Sequence, residues 1–160
     1  MVFPTWFNGS SEGLEAYLTG PDPFIDTTRY FVIAIDSFGN GVATSPSNSE
    51  TQRNKLFPRI TIRDMVRSQH EVVTKTLGLS KLHSVVGISM GGMQVCEWLA
   101  SYPEMMQSAV SIVGTPRMTA RDVILWTAFM KKIPGFGGKK DEANADANAK
   151  PQEGGRGGIT

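Results

Sequence analysis

The stretch Val85-Val86-Gly87-Ile88-Ser89-Met90-Gly91-Gly92 joins an apolar run to a helix-forming segment. The apolar residues from His83 to Val86 predict a strand buried within a sheet. The segment from Met90 to about Ser101 predicts a helix, which Tyr102-Pro103 ends. Three residues are expected on the buried face of that helix: Met93, Cys96 and Leu99.

Apolar runs and amphipathic segments alternate on both sides of this stretch. Tyr30–Ile35 (YFVIAI) predicts a strand buried on both faces. Thr61 and Asp64 form a capping-box pattern at the start of a predicted helix. A further strand is expected at Ser108–Val113 and a further helix at Thr119 to about Lys131. Such alternation is typical of βαβ units, so the predicted class is α/β, a parallel sheet with flanking helices.

The two ends of the chain look different from its middle. Val2-Phe3-Pro4 is too short for a complete strand and leads at once into a polar loop, which suggests that part of the sheet precedes it. Residues 133–160 are rich in glycine and mixed charge, with almost no large apolar residue after Phe136. Burial cannot offset the ordering entropy of such a segment, so a disordered tail is expected, or non-native sequence beyond a truncation point. The predicted domain therefore covers residues 1–132.

Composition excludes several classes of protein. With 160 residues, 40% hydrophobic and 19% charged, the chain suits one globular domain. A net charge of +1 argues against nucleic acid and anionic membrane surfaces as partners. The absence of a signal-peptide pattern and of an apolar run of about 18 residues argues against secretion and membrane insertion. Because Cys96 is the single cysteine, a reducing, cytoplasmic location is expected.

Ser89 is the predicted nucleophile. Gly87 and Gly91 flank it in a Gly-x-Ser-x-Gly pattern, which matches a nucleophile elbow when it lies between a strand and a helix. The elbow needs glycine two residues either side, because larger residues would collide with the neighbouring strand and helix. A tight turn with an incidental serine is the alternative, and the strand–helix context argues against it.

The oxyanion hole of such a site takes one N–H from the residue after the nucleophile, here Met90. A second N–H comes from a loop after an earlier strand, and Phe7, within Thr5–Ser10, is the expected donor. No metal ligands are predicted. The assignment of Phe7 depends on the elbow, because any surface turn has a similar composition.

The remaining catalytic triad residues, an Asp or Glu and a His, are absent from the expected positions. In this arrangement the His follows the serine along the chain, and no histidine follows Ser89. His83 precedes it by six extended residues, on the order of 20 Å, and His70 lies within a helix. Asp36 can line the pocket or accept hydrogen bonds in a turn; Glu97 and Asp122 are ordinary helix residues. This chain alone is therefore expected to have essentially no activity.

The combined motifs resemble the homoserine O-acetyltransferase family of the α/β-hydrolase superfamily. The resemblance runs from about Pro4 to Trp126 and is more specific than the elbow alone. It is carried by these segments: Arg29-Tyr30-Phe31-Val32, residues 57–69 (FPRITIRDMVRSQ), residues 85–94 (VVGISMGGMQ), Glu97-Trp98 and Tyr102-Pro103.

The resemblance implies a partial α/β-hydrolase fold and a two-step acyl transfer. A serine takes acetyl from acetyl-CoA, the acyl donor substrate, and a hydroxyl of homoserine resolves the acyl-enzyme, a step of methionine biosynthesis. Ser89 corresponds to that serine, and Met90 and Phe7 to the oxyanion donors by position; no bound cofactor is implied. The family's Asp and His lie near the C-terminus of a longer chain, a helical lid would begin near Thr119, and the full-length enzyme can form a homodimer.

Two loops depart from the usual family pattern. Residues 38–46 (FGNGVATSP) stand in place of a Gly-Cys-x-Gly-Ser-Thr-Gly-Pro-like segment, and Thr5–Gly9 replaces a His-x-Leu-Thr-Gly loop. An esterase or thioesterase, in which water resolves the acyl-enzyme, is therefore an alternative. A non-catalytic interaction module that kept the elbow is another.

Overall fold

The computed structural model describes residues 1–19 and 21–132, and the predicted tail at 133–160 lies outside them. The chain divides into two compact units, Met1–Arg117 and Met118–Thr160. The first unit contains, in chain order, these strands and helices: β1 (Val2–Pro4), α1 (Ser11–Thr19), β2 (Ile33–Ile35), α2 (Ile62–Glu71), β3 (Leu82–Ile88), α3 (Met90–Ser101) and β4 (Met106–Ile112). The described part of the second unit contains α4 (Ala120–Met130).

The four strands of the described residues form one parallel sheet in the order β2-β1-β3-β4. The ladder between β3 and β4 is the longest, with Leu82 beside Met106 and Ile88 beside Ile112. The short strand β1 lies in the middle of the sheet because it pairs with β2 on one side and with β3 on the other. The predicted α/β class with a parallel sheet is confirmed.

Helices cover both faces of this sheet. On one face, Val66 of α2 and Val95 and Trp98 of α3 pack against Val2 and Val85 of the central strands. On the other face, a second cluster joins α1 to the sheet through these buried residues: Phe3, Leu14, Leu18, Ile25 and Val86. Adjacent residues of one strand thus enter opposite cores, which is the consequence of the two-residue repeat of a strand.

The capping box predicted at α2 is present. The Thr61 side chain accepts a hydrogen bond from the Asp64 N–H, and the Asp64 carboxylate accepts from the Thr61 N–H and hydroxyl at 2.8 and 2.6 Å. These hydrogen bonds, from the hydroxyl first, lower the pKa of Asp64. The helix continues into a π-helical segment, Val72–Thr76, and stops before Gly78, whose φ is 66°.

Three expectations need correction. Only Ile33–Ile35 of the predicted Tyr30–Ile35 segment forms a strand, and this strand is half-buried because β2 is the outermost described strand on its side. Helix α1 was not predicted, although Ser10 before Glu12 and the pair Leu14 and Leu18 carry a helix signal. The buried face of α3 also differs from the predicted one.

The face of α3 that was expected inside is largely outside: Leu99 is exposed, and Met93 and Cys96 are half-buried. The buried residues of α3 are instead Gly91, Gly92, Gln94, Val95 and Trp98. The set of buried positions in α3 is shifted by about one residue from the predicted set, because the first turn of the helix packs Gly91 against the backbone of Pro4.

Helix α4 begins at a second capping box, in which Thr119 and Asp122 hydrogen-bond reciprocally. The Thr119 hydroxyl is the main cause of the lowered pKa of Asp122. Within the described part of the chain, we find no helix long and apolar enough to cross a membrane.

Candidate active site

Ser89 stands between the last residue of β3 and the first of α3, in a backbone conformation with φ 56° and ψ −119°. Few residues other than glycine adopt a positive φ, and such strain persists only where the surroundings enforce it. Here the Ser89 N–H donates to the Ile112 carbonyl at 2.9 Å, and the Ser89 carbonyl accepts from the Met93 N–H at 3.0 Å. The serine is half-buried at the carboxyl edge of the sheet.

The two elbow glycines are required by close backbone contacts. A Cβ at Gly87 would lie 2.4 Å from the carbonyl carbon and oxygen of Gly91. A Cβ at Gly91 would lie 2.5 Å from the Pro4 carbonyl oxygen. Because all of these are backbone atoms, no side-chain rotation relieves the overlap. The spacing predicted from the sequence therefore has a direct steric cause.

The contact between Gly91 and Pro4 brings the first turn of α3 against the end of β1. The loop that follows β1 makes a turn in which the Gly9 N–H donates to the Trp6 carbonyl at 3.0 Å and Asn8 has a φ of 63°. Phe7 lies in this turn, and about half of its surface is exposed. The structure thus places the loop of Phe7 beside the helix that begins at Met90.

Met90 is the first residue of α3, and the first N–H groups of an α-helix have no partner within the helix. They carry the positive end of the helix dipole, which favours negative charge nearby. The Met90 N–H therefore has the chemical character that an oxyanion donor requires.

Neither histidine lies near Ser89. The ring of His70 stacks on that of Tyr102 at 3.9 Å with an interplanar angle of 7°. Tyr102 follows the C-terminal end of α3, so His70 is separated from Ser89 by the length of a helix, about 20 Å. His83 lies at the other end of β3 and contacts the ring of Tyr30 at 4.8 Å.

The carboxylates considered from the sequence have structural partners. Asp36 accepts hydrogen bonds from the Ser11 N–H at 2.9 Å, the Ser11 hydroxyl at 2.6 Å and the Asn40 amide at 2.8 Å. Asn40 also donates to the Gly9 carbonyl at 3.0 Å, so this cluster anchors the loop after β1. Among the described residues, no group of His, Cys, Asp or Glu side chains is arranged to hold a metal ion.

Glu97 pairs with Arg63 at 2.9 Å and accepts a hydrogen bond from the Ser101 hydroxyl at 2.8 Å. Both contacts, that with Arg63 first, lower the pKa of Glu97. The pair joins α3 to α2 and does not involve the elbow.

A buried network of hydrogen bonds behind the elbow was not predicted. It links three side chains of α2 and α3, Gln69, Gln94 and Trp98, to Thr5 and Ser37 at the ends of β1 and β2. All five residues are almost fully buried. Gln69, Gln94 and Trp98 stand in the motifs that carry the family resemblance, but a sequence does not show which buried polar groups meet.

Comparison with known proteins agrees with this geometry. Residues 7–158 match the family model for the alpha/beta hydrolase fold. A probable esterase of Corynebacterium glutamicum is 32% identical over 143 residues, covering 86% of this chain and 41% of the relative. An ethyl acetate hydrolase of Pseudomonas veronii is 32% identical (83% and 38% covered), and a homoserine O-acetyltransferase of Geotalea daltonii is 39% identical (76% and 32% covered).

Solved structures of hydrolases also superpose on this chain. An acetylester hydrolase from Corynebacterium glutamicum superposes with a TM-score of 0.76 at 30% identity, covering 92% of this chain and 40% of that one. The acetyl esterase MekB superposes with a TM-score of 0.77 at 32% identity, covering 81% and 38%. The chain thus spans about two fifths of the length of these relatives. Its strand–serine–helix elbow, parallel sheet and family-model match together show that the chain belongs to the alpha/beta hydrolase fold family.

Proposed function

We propose that the whole protein transfers a small acyl group, preferably acetyl, through an acyl-enzyme on Ser89. The observation that carries this proposal is that the strained backbone of Ser89, at the junction of β3 and α3, is half-buried and held by hydrogen bonds through both its N–H and its carbonyl. A serine held in this way presents its hydroxyl clear of both elements, where a planar carbonyl can approach it.

In the proposed first step, Ser89 Oγ attacks the carbonyl carbon while its proton passes to a general base. Negative charge then develops on the carbonyl oxygen, and the N–H groups of Met90 and Phe7 are the proposed donors to it. The carbonyl then re-forms and the bond to the leaving group breaks: a thiol leaves as its thiolate, whereas an alcohol leaves with the proton that the base returns to it. Neither His70 nor His83 is placed to act as the base, so we expect it to come from residues of the whole protein outside the described ones.

The proposed acyl acceptor is a hydroxyl compound, with homoserine the first candidate and acetyl-CoA the proposed donor. The resemblance of residues 57–69 and 85–94 to homoserine O-acetyltransferases supports this choice, as does the 39% identity to the Geotalea relative.

Hydrolysis is the second candidate, with water as acceptor. A relative named as a probable esterase matches 86% of this chain and one named as an ethyl acetate hydrolase matches 83%. The superposed structures are named as an acetylester hydrolase and an acetyl esterase. The departures at Thr5–Gly9 and residues 38–46 lie in the loops that follow β1 and β2, at the edge where an acceptor would bind.

Acetyl-CoA turnover by the whole protein, with and without homoserine, separates these functions. Homoserine-dependent release of CoA supports transfer, whereas cleavage of 4-nitrophenyl acetate without homoserine supports hydrolysis. Replacement of Ser89 by Ala is expected to lower either activity by about 10³-fold or more. Wild-type protein with neither activity, and with no labelling by a fluorophosphonate probe, would contradict the proposal and favour a non-catalytic module.

A further inference from the structure

The amide of Gln94 bridges the two segments that carry the proposed oxyanion donors. Its Nε2 lies 3.2 Å from the Thr5 carbonyl oxygen and 3.3 Å from the Met90 carbonyl oxygen. Thr5 precedes the Trp6–Phe7 peptide that supplies one proposed donor, and the Met90 carbonyl follows the peptide that supplies the other. The side chain of Gln94 is completely buried.

The orientation of this amide is determined by its neighbours. Backbone carbonyls only accept hydrogen bonds, so the NH₂ group of Gln94 must face Thr5 and Met90. Its Oε1 then accepts from Gln69 Nε2 at 2.5 Å. At the far end, Trp98 Nε1–H, which can only donate, donates to Gln69 Oε1 at 2.9 Å. Both ends of this hydrogen-bonded series have a single possible polarity, and neither glutamine can reverse without leaving buried groups unpaired.

Ser37, which follows β2, also forms hydrogen bonds with Gln94 and Thr5. Its hydroxyl lies 3.1 Å from Gln94 Nε2, whose two hydrogens are shared among Ser37, Thr5 and Met90, and it donates to the Thr5 carbonyl at 3.2 Å. Its N–H donates to the Thr5 hydroxyl at 3.0 Å. The start of the loop after β1 is therefore held from β2 and from α3 together, and displacing it would break several buried hydrogen bonds at once.

We infer that Gln94 is a positioning residue for acyl transfer, which sets the separation of the Phe7 and Met90 N–H groups through the peptides beside them. This inference rests on the proposed function. Gln69 and Trp98 act one and two steps further away, by keeping the Gln94 amide in its single orientation. None of the three touches the substrate.

The test uses the whole protein and compares Gln94→Met with wild type. Methionine keeps the length and most of the volume of glutamine but cannot donate to Thr5 or Met90. We expect kcat per fluorophosphonate-labelled site to fall about tenfold or more, since loss of one oxyanion donor costs about 10² to 10³-fold, while KM changes little. We also expect the inhibition constant of a boronic acid, which forms a tetrahedral adduct with serine, to rise by a similar factor.

Two further variants separate positioning from stability. Trp98→Phe removes only the hydrogen bond from Trp98 to Gln69. We expect kcat and boronic acid affinity to fall as in Gln94→Met, but by a smaller factor. Val95→Ala removes a buried neighbour on α3 that has no side-chain hydrogen bond, so its labelled sites are expected to keep wild-type kcat even if stability falls.

Unchanged kcat per labelled site and unchanged boronic acid affinity in Gln94→Met would overturn the inference while leaving the proposed function intact. Equal losses in Val95→Ala would also overturn it, because they would show a general effect of stability. Should Gln94→Met fail to fold, Trp98→Phe decides by the same two measurements. A wild-type protein without Ser89-dependent turnover would overturn both proposals.

Discussion

Strands β3 and β4 are neighbours of equal length, seven residues each, and yet they differ in burial along the strand and in the packing around their carboxyl ends. Val86 of β3 and Val110 of β4 are direct partners in the ladder, but Val86 is 7% exposed and Val110 is 46% exposed. Val86 packs in the cluster that contains Leu14 and Leu18 of α1. The helix layer on that face covers β3 and leaves Val110 of β4 open.

The strand ends differ in the same way. Each strand is succeeded by a non-glycine residue with positive φ, Ser89 at 56° and Val113 at 46°. Ser89 is half-buried and hydrogen-bonded through both its N–H and its carbonyl, whereas Val113 is highly exposed. Two neighbouring strands thus end in similar backbone strain, carried by a supported serine after β3 and by an exposed valine after β4. We take the packing around Ser89, rather than the strain itself, as the mark of the site.

The largest effect is expected for Gly87→Ala at the end of β3. The new methyl group would lie 2.4 Å from backbone atoms of Gly91, so the free energy of unfolding should fall by about 3 kcal/mol or more. Gly13→Ala in α1 is the matched control, because its Cβ meets only the Ser10 hydroxyl, at 3.5 Å. We expect that variant to be more stable by about 0.5–1 kcal/mol. Urea unfolding measures both, and equal stabilities would contradict the steric account of the elbow.

The valine pair tests the difference in burial directly. Val86→Ala should lower the free energy of unfolding by about 2 kcal/mol, since a buried side chain loses transfer energy and leaves a cavity. Val110→Ala should lower it by less than about 1 kcal/mol, because this side chain is already half in solvent. Thermal and urea unfolding of the two variants provide the comparison; similar losses would mean that β4 is covered as well as β3.

Val113→Gly should stabilise the protein. Glycine tolerates a positive φ, and little apolar burial is lost at so exposed a position, so a gain of about 0.5–1 kcal/mol is expected. Val110→Gly is the control within the extended part of β4, where glycine should destabilise by a similar amount. A loss of stability in Val113→Gly, measured by urea unfolding, would mean that the valine makes contacts that outweigh the strain.

The smallest effect concerns the ion pair between the two helices that pack on the other face of the sheet. Glu97 pairs with Arg63, and its lowered pKa means that the ionised form is favoured in the folded state. Its contribution is therefore present above its ordinary pKa of 4.5 and is lost as the pH falls through the lower folded value. Glu97→Gln should cost less than about 1 kcal/mol at pH 7, because Arg63 is exposed.

Unfolding of the Glu97→Gln variant from about pH 7 to about pH 3 measures this dependence. The difference from wild type should shrink as the pH falls. A difference that grew toward low pH would have the wrong sign for a lowered pKa.

Much of the fold could be predicted from local pattern. Apolar runs indicated the strands. The capping-box pattern of Thr61 and Asp64 correctly indicated Thr61 as the residue that caps the start of α2. The spacing of Gly87, Ser89 and Gly91 indicated the elbow. These signals are local, because capping bonds, turn sterics and strand periodicity act within a few residues of the chain.

Tertiary structure decided the features that join distant parts of the chain. The amphipathic pattern of α3 permitted Leu99 inside, but contact between Gly91 and Pro4 turned Gln94 inward instead. The hydrogen bond from Gln94 to Thr5 spans 89 residues, and that from Trp98 to Gln69 spans 29. Local propensity identified Ser89, whereas the surroundings that hold its backbone come from β1, β4 and α3, since buried polar groups are satisfied only by whatever the packed layers bring beside them.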